Sequence, residues 1–486
     1  MKIVNGQQMA EIDRRTIQDL GLDGQVLMET AGRSLALWLR QRVSGQKVAF
    51  LCGPGNNGGD GLVAARAWSD MGGQVQLFLL SEDLQGDALL NLQRSRRWEL
   101  ARAPLSGPPP AWDGYAFVVD ALFGTGLTRN LSPEVAAWVQ SLPPERTLAA
   151  DIPSGIHSAT GQVLGAAAWA TTTVTFGLPK LGQLLQPGAA HCGQLVIEDI
   201  GFPRHLRDSD EWPGQWVDAD LLRGWLPVRR FGSHKRNVGK VLVVAGSAHY
   251  PGAALLATLG ALRGGAGLVY TYTPASAASR LASEAIPLVA RGDWLTLQDL
   301  EPLKQALAEV DALCLGPGLG SEAETLELVR ELLAYSPLPA VVDASALQGL
   351  PDQLSPRVLL TPHHGELARL VRAKVSEVER DRLNYAVRAA RNWNCTVLLK
   401  GDPTLVTTAG GRYLVSNQGT PVLAQGGTGD VLSGLAGALL ARGLDSLEAG
   451  GAAAYLHGRA GRLSGVPCGL GAEALAGWLP RAFDLA

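Results

Sequence analysis

Residues able to do chemistry fall into two groups, one in each half of the chain. In the first half, GPGNNGGDG (Gly53–Gly61) follows the apolar run KVAFLC and precedes an alanine-rich segment. Gly53, Gly55 and Gly58 fit the G-x-G-x-x-G spacing of a phosphate-gripping turn between strand and helix, with Glu82 or Asp83 near where a ribose-binding acid would stand. The same turn carries Asn56, Asn57 and Asp60, polar groups that suit a hydroxylated ligand or an ion as well as phosphate. The plainer alternative is a tight turn whose asparagines supply positive φ. Two further strand exits bear Asp120, ahead of Gly124-Thr125-Gly126, and Asp151 with Ser154 in ADIPSG. Carboxyl ends of parallel strands share one edge of a sheet, so the three turns are expected to converge. Their Asn, Asp and Ser oxygens are hard ligands, suited to a monovalent or alkaline-earth cation rather than zinc. Asp120 could equally serve as a helix N-cap.

In the second half, NQGTPVLAQGGTGDVLSG (Asn417–Gly434) sets Gly426, Gly427, Thr428 and Gly429 directly before a helix starting near Asp430. Backbone N–H groups bared by glycine at a helix N-terminus make an anion hole for a phosphoryl group in transit. Asp430 at its head can accept a substrate hydroxyl proton, or simply cap the helix. LLKGDPTLV holds Lys400, suited to a nucleotide phosphate or ribose, although Gly-Asp-Pro also reads as a hairpin turn. TPHHGE offers His363 to a substrate or to solvent as a helix cap. LGPGLG and AGSAHYPGA are two more glycine-rich strand exits. No Walker A sequence, H-E-x-x-H or G-x-S-x-G occurs, which removes the usual support for P-loop NTPase, zincin and α/β-hydrolase readings.

These groups need a scaffold, and the hydrophobic pattern supplies one. Gln8–Arg42 has apolar spacing that predicts helix; Lys47–Cys52, Gln74–Leu80, Phe117–Leu122 and Thr147–Ile152 predict short strands. The second half restarts the alternation, with strands over Lys240–Ala245, Val310–Leu315, Ala340–Asp343, Val358–Leu360 and Thr396–Leu399. Its helices are Gly252–Arg263, Arg380–Trp393 and Asp430–Arg442. Short strands separated by helix-length segments predict parallel α/β sheets. Gly201–Trp225, with Pro203, Pro213 and three tryptophans, reads as a border, so two domains are expected over 1–212 and 222–486.

Composition narrows the class. The chain has 486 residues, 46% hydrophobic and 18% charged, with a formal net charge of −3, which suits a folded protein and argues against nucleic-acid and polybasic membrane-surface binding. Eight lysines stand against 34 arginines, so a lysine inside a glycine-rich motif is conspicuous. Five scattered cysteines with no Cys-x-x-Cys argue against a disulfide framework or structural zinc. The N-terminal residues lack signal-peptide character, and the uncharged stretch Val241–Leu262 is broken by Ser247, His249, Tyr250 and Pro251, so a cytoplasmic protein without a membrane span is expected.

Taken in order, Met28–Gly32 (METAG), GPGNNGGDG, VVDALFGTGL, DIPSG and TFGLPKLG (Thr175–Gly182) resemble the NAD(P)H-hydrate epimerase family, the YjeF N-terminal domain, over about residues 1–210. The resemblance implies a Rossmann-like three-layer sandwich. It implies that Asn56, Asn57, Gly58, Gly59 and Asp60, together with Gly124, Thr125, Gly126, Leu127, Thr128, Arg129 and Asn130, line the hydrated nucleotide. The same resemblance implies that Asp151 lies on the substrate as acid/base and that Asn57, Asp120 and Ser154 hold potassium. Lys180 would contact the ligand or stand as an exposed loop lysine. GSAHYPGA, RGGAGLV (Arg263–Val269), LGPGLG, TPHHGE, KGDPT and GGTGDVLSG are similar to the ADP/ATP-dependent NAD(P)H-hydrate dehydratase family, a ribokinase-like α/β domain, from about Trp225 onward. This second likeness places Ala253, Gly318, His363 and Asp430 on the hydrate. It places Lys400, Gly401, Asp402, Pro403, Thr404 and Gly429 on the adenine nucleotide.

The whole order implies a bifunctional repair enzyme for the R and S hydrates formed when water adds at C6 of NADH or NADPH. One unit epimerises; the other dehydrates the S form while cleaving ADP to AMP and phosphate. K⁺ in the first unit, Mg²⁺ with ADP in the second, and a homo-oligomer are the implied cofactors and assembly. The chain departs from the family pattern at Ser345, His364, Asp402-Pro403 and Arg236. Two alternatives remain: a ribokinase-like kinase of a small alcohol, and a non-catalytic first domain. A stable phosphate ester product would favour the kinase. Potassium-dependent binding without epimerisation would favour the binding module.

Overall fold

The computed structural model describes residues 1–228, 231–232, 234–235 and 238–485, so Arg236 lies outside the described residues. The chain divides into two compact units, Met1–Pro213 and Gly214–Ala486.

In the first unit the strands of the parallel sheet are Lys47–Cys52 (β1), Gln74–Leu79 (β2), Arg102–Pro104 (β3), Phe117–Ala121 (β4), Thr147–Ala150 (β5), Thr172–Phe176 (β6) and Gln194–Glu198 (β7). They pair in parallel in the order β3-β2-β1-β4-β5-β6-β7. Strand order reverses between β1 and β4, and an open parallel sheet binds ligands at such a reversal, beyond the strand carboxyl ends. Period-two alternation builds the layers: Val48, Phe50 and Cys52 join one buried cluster, while Ala49 and Leu51 join the other. With both faces covered, β1 is apolar nearly throughout rather than alternating with polar residues. The exits of β1 and β4 touch: a Cβ on Gly53 would lie 1.8 Å from the Leu122 carbonyl oxygen.

The expected helix over 8–42 is broken. Helix Gly6–Arg14 runs on as Arg15–Asp19, the chain turns at Gly21 (φ 76°), and Asp23 caps helix Gly24–Arg40 by accepting from the Gln25 amide. Apolar spacing is in phase on both sides of the break, so periodicity passes over it. The cap pair Gly21 and Asp23 is its local signal.

The second unit has strands Gly214–Trp216 (β8), Lys240–Val244 (β9), Leu268–Pro274 (β10), Ile286–Ala290 (β11), Ala312–Leu315 (β12), Ala340–Val342 (β13), Val358–Leu360 (β14), Thr396–Leu399 (β15), Thr404–Thr408 (β16) and Tyr413–Ser416 (β17). Their order is β8-β17-β16-β15-β14-β13-β12-β9-β10-β11. Pairing is parallel from β15 across to β11, while β16 and β17 run as antiparallel partners. The reversal of strand order falls between β9 and β12, whose exits carry AGSAHYPGA and LGPGLG. Gly246 N–H donates to the Pro317 carbonyl there at 2.8 Å. Helix Thr428–Ala441 lies over this point, with Gly437 close to Cys314 and Val241. It packs on helix Pro251–Arg263 through glycine: a Cβ on Gly434 would meet the Ala257 carbonyl oxygen at 1.9 Å, and one on Gly260 the Val431 carbonyl oxygen at 2.2 Å. The expected helix over 380–393 is helix Arg382–Trp393, set off at Asp381 from a separate helix Val375–Arg380. Among the described residues no helix is long and apolar enough to cross a membrane.

Candidate active sites

At the β1/β4 reversal the first unit opens a cleft of about 580 Å³. Asn56, Asn57 and Asp60 enter from the first turns of helix Asn56–Asp70, and Gly124–Arg129 from the turn after β4. Asp151 enters from the exit of β5, and Met9 and Asp13 from the first helix. Asp151 has φ 61°, a conformation uncommon outside glycine that marks a backbone held in place by its surroundings. Its Oδ1 accepts from Lys180 Nζ at 2.5 Å, from Thr175 Oγ1 at 3.0 Å and from the Phe176 amide at 3.4 Å. Lys180 is 1% exposed and also donates to the Phe176 carbonyl at 3.0 Å.

Beside this pair, Asp120 is fully buried and accepts from Ser154 Oγ at 2.6 Å and Ser154 N–H at 2.8 Å. Asn57 is 8% exposed, and neither its amide oxygen nor its amide nitrogen has a hydrogen-bond partner. Buried amides are normally paired, so this one points to a group not made of protein.

In the second unit the glycine turn before Asp430 converges with Lys400 at the exit of β15. A Cβ on Gly429 would lie 3.5 Å from Lys400 Nζ. Lys400 Nζ donates to Asp343 Oδ1 at 2.8 Å and stands 4.0 Å from Glu366 Oε2, while Ser433 Oγ donates to Asp343 Oδ2 at 2.6 Å. Burial alone would lower the Lys400 ammonium; the Asp343 and Glu366 charges outweigh it and hold the group above its ordinary value. Burial, then the Asp343 charge, pushes the Asp430 carboxyl up to about 7, with Lys400 opposing. The helix start is pinned by His457, which is buried and donates Nε2–H to the Thr428 carbonyl at 2.9 Å. Burial first lowers this imidazole to about 4, so it is neutral at pH 7.

Comparison with known proteins follows the same division. A family model described as YjeF-related protein N-terminus matches residues 24–182, and one described as NAD(P)H-hydrate dehydratase matches residues 241–472. The bifunctional NAD(P)H-hydrate repair enzyme Nnr of Moorella thermoacetica is 38% identical over 95% of this chain and 92% of its own; that of Thermofilum pendens is 36% identical over 99% and 96%. The chain belongs to the bifunctional NAD(P)H-hydrate repair enzyme family. A solved ribokinase-like superfamily protein from Enterococcus faecalis V583 matches 56% of this chain and 96% of its own, with 25% identity and a TM-score of 0.50.

Set against the residues the repair-enzyme resemblance implies, the first cleft is lined by Asn56, Asn57, Asp60, Gly124, Thr125, Gly126, Leu127, Thr128, Arg129 and Asp151. Gly58, Gly59 and Asn130 are not among its walls. A Cβ on Gly58 would meet the Gly53 carbonyl oxygen at 1.9 Å, and one on Gly59 the Met28 side chain at 2.7 Å, so these glycines serve close packing; Asn130 stands beside Gly165. Glu82 pairs with Arg96 at 2.6 Å, and neither it nor Asp83 is among the cleft walls. Asp120 caps no helix, since it lies within β4. Lys180, whose sequence context allowed an exposed loop, is the buried partner of Asp151.

In the second unit of the repair enzyme, Gly318 (φ 67°) abuts Ala253, with a Cβ there only 2.5 Å from the Ala253 Cβ. His363 is exposed and does cap a helix, its Nδ1 accepting from the Gly365 and Glu366 amides at 3.0 and 3.4 Å. Lys400–Thr404 forms the hairpin connection from β15 to β16. Arg382 holds the carbonyls of Asp402 and Pro403. His364 packs beside Gly401, and burial, with the Arg382 charge behind it, lowers its imidazole to about 4. Sequence reading passed over Asp343 and Ser433 as functional groups. The signal was present in Asp343 at a strand exit and Ser433 one helical turn after Gly429.

Proposed function

We propose that the first unit's cleft interconverts the R and S hydrates of NADH and NADPH, and that the second unit dehydrates the S hydrate while cleaving ADP to AMP and phosphate. Membership of the repair-enzyme family supports both activities. The observation that carries the assignment to these atoms is the setting of one carboxyl among those in each site, at a strand exit or glycine turn of its own unit. Asp151 sits against a buried ammonium, and Asp430 heads a glycine turn.

In the first unit Asp151 takes the proton of the C6 hydroxyl, and Lys180 orients it. Asn57 Oδ1, the Asp120 carboxylate and Ser154 Oγ would hold K⁺, and the unpartnered buried Asn57 amide fits such an ion. When bound, the cation supplies fixed positive charge for the ligand's phosphates.

In the second unit hydroxide is a poor leaving group and phosphate a good one. Asp430 takes the hydroxyl proton as the oxygen attacks the β-phosphoryl of ADP. The bared N–H groups of the turn after Gly426, with Lys400 beside Gly429, stabilise the charge on the transferring group. Ring-nitrogen electrons then expel phosphate, and loss of the C5 proton restores the reduced ring. Lys400–Thr404 would hold the adenine nucleotide, and Ala253, Gly318 and His363 the hydrate. Among the described residues no cluster of three or more His, Cys, Asp or Glu side chains is placed to hold a metal, so Mg²⁺ would arrive on the nucleotide phosphates rather than in a protein cage.

The test is incubation of mixed hydrates with the full chain and ADP, ATP or neither, followed by absorbance of the reduced nicotinamide and by chromatography. Restored coenzyme with AMP and phosphate is expected with ADP, and equilibration of R and S alone without nucleotide. A stable phosphate ester would show a kinase instead.

A further inference from the structure

The first cleft carries more acid than one base requires. Asp13, Asp60, Asp87 and Asp151 all line it, against the cations Lys180 and Arg129. Only Asp151 has an ammonium against it; no hydrogen-bond donor reaches the Asp60 carboxyl among the described residues. Asp60 and Asp151 line the same cleft from separate elements, helix Asn56–Asp70 and the exit of β5. We propose that Asp60 is the proton donor of the epimerisation, delivering its proton to ring nitrogen N1 while Asp151 takes the C6 hydroxyl proton, so that the bond broken is C6–N1 and not C6–O.

The state of Asp60 agrees with this role. Burial, followed by the charges of Asp151 and Asp13, pushes its carboxyl well above the ordinary carboxylate range, with Lys180 acting the other way. Asp13 is itself raised, by burial and by Asp87. That shift suits Asp60 to the donor's role, while Asp151 differs from it by the Lys180 ammonium held at 2.5 Å.

The step balances without a co-reactant. C6 of the hydrate bears both hydroxyl and ring nitrogen. As Asp151 removes the hydroxyl proton, the O–H electrons form C6=O, the C6–N1 pair moves to nitrogen, and Asp60 supplies the N–H proton. Rotation about C5–C6 presents the other face of the aldehyde. N1 closes on it, Asp60 recovers its proton, and Asp151 returns one to the oxygen. Nitrogen leaves readily because its electrons are delocalised through the ring C2=C3 bond into the carboxamide. Hydroxide leaves poorly, which is why the second unit needs a phosphoryl group. Expulsion of hydroxide in the first unit would give an iminium ion able to lose its C5 proton, forming reduced coenzyme with no nucleotide consumed.

This inference rests on the epimerase reading of the first unit, and the test separates the two. The full chain is given pure S hydrate in ¹⁸O-water, without ADP. If no R hydrate forms above the protein-free rate, the epimerase reading fails and this inference with it. If R hydrate forms, the expected result is early product free of ¹⁸O; one ¹⁸O per epimerised molecule overturns C6–N1 cleavage. Asp60→Asn is expected to lower kcat roughly 10²–10⁴-fold while hydrate binding, read by fluorescence quenching, stays within about threefold, and Asp60→Glu to recover part of the rate. An Asp60→Asn enzyme within tenfold of the parental kcat overturns the donor assignment. Should that variant lose binding as well, the isotope result on the parental chain still decides the bond.

Discussion

Asp430, the base proposed for dehydration, has a carboxyl shifted towards neutral pH by where it stands. Burial and Asp343 raise it to about 7 and Lys400 pulls it back. Only the ionised form accepts a proton, so the dehydration rate with saturating ADP should rise about tenfold per pH unit below 7 and level off above it. Asp343→Asn removes the neighbouring negative charge and should move that inflection to lower pH, whereas a purely structural role for Asp343 would leave it in place. Asp430→Ala should abolish dehydration and leave epimerisation at the parental rate. Near-parental consumption of S hydrate with ADP would show that another group is the base. In the first unit Lys180→Met leaves the Asp151 carboxylate without its buried partner and should cut epimerisation at least tenfold. Breaking a part-buried ion pair from one side strands the other charge, so a lowered urea midpoint should accompany the loss.

Elements place these groups through backbone approach. Helix Thr428–Ala441 reaches the β9/β12 reversal because Gly434 and Gly260 let it lie against helix Pro251–Arg263 with backbone atoms almost touching. Gly434→Ala should cost about 1–3 kcal/mol of stability through overpacking, measured by urea denaturation, and slow dehydration by displacing the turn before Asp430. Strands buried on both faces, such as Lys47–Cys52 and Thr396–Leu399, were legible as apolar runs ending at glycine or lysine. Strands Arg102–Pro104 and Gln194–Glu198 were not, because edge strands carry polar residues and little pattern. The break between helices Arg15–Asp19 and Gly24–Arg40 was also missed, since apolar spacing continues across it. That break puts Asp13 and Met28 on the walls of one cleft.

On the scale of the whole chain, two units with separate sites predict separable activities acting in sequence. With ADP, the parental enzyme should consume both hydrates, the R form only as fast as it is epimerised. Asp151→Asn should consume the S half and leave R behind, and the Asp430 variant should equilibrate the pair and consume neither; chromatography of the three mixtures checks this. The proposed potassium ligands, Asn57, Asp120 and Ser154, all lie in the first unit. Replacing K⁺ with a larger organic cation should slow epimerisation without changing dehydration, and Asn57→Ala should remove that dependence.

From sequence alone came the alternation of strands and helices, the glycine-bared turns at strand exits, and the carboxyls Asp151 and Asp430 standing in them. Those are local properties: a turn is written in adjacent residues, and glycine next to a strand announces it. Tertiary structure decided the chemical character of each group. Lys180 comes to Asp151 from 29 positions away, and Lys400 to Asp343 from 57. Asp60 shares the walls of one cleft with Asp13 and Asp151 and is raised by their charges. Desolvation and Coulomb energy depend on distance through space, which no spacing along the chain records.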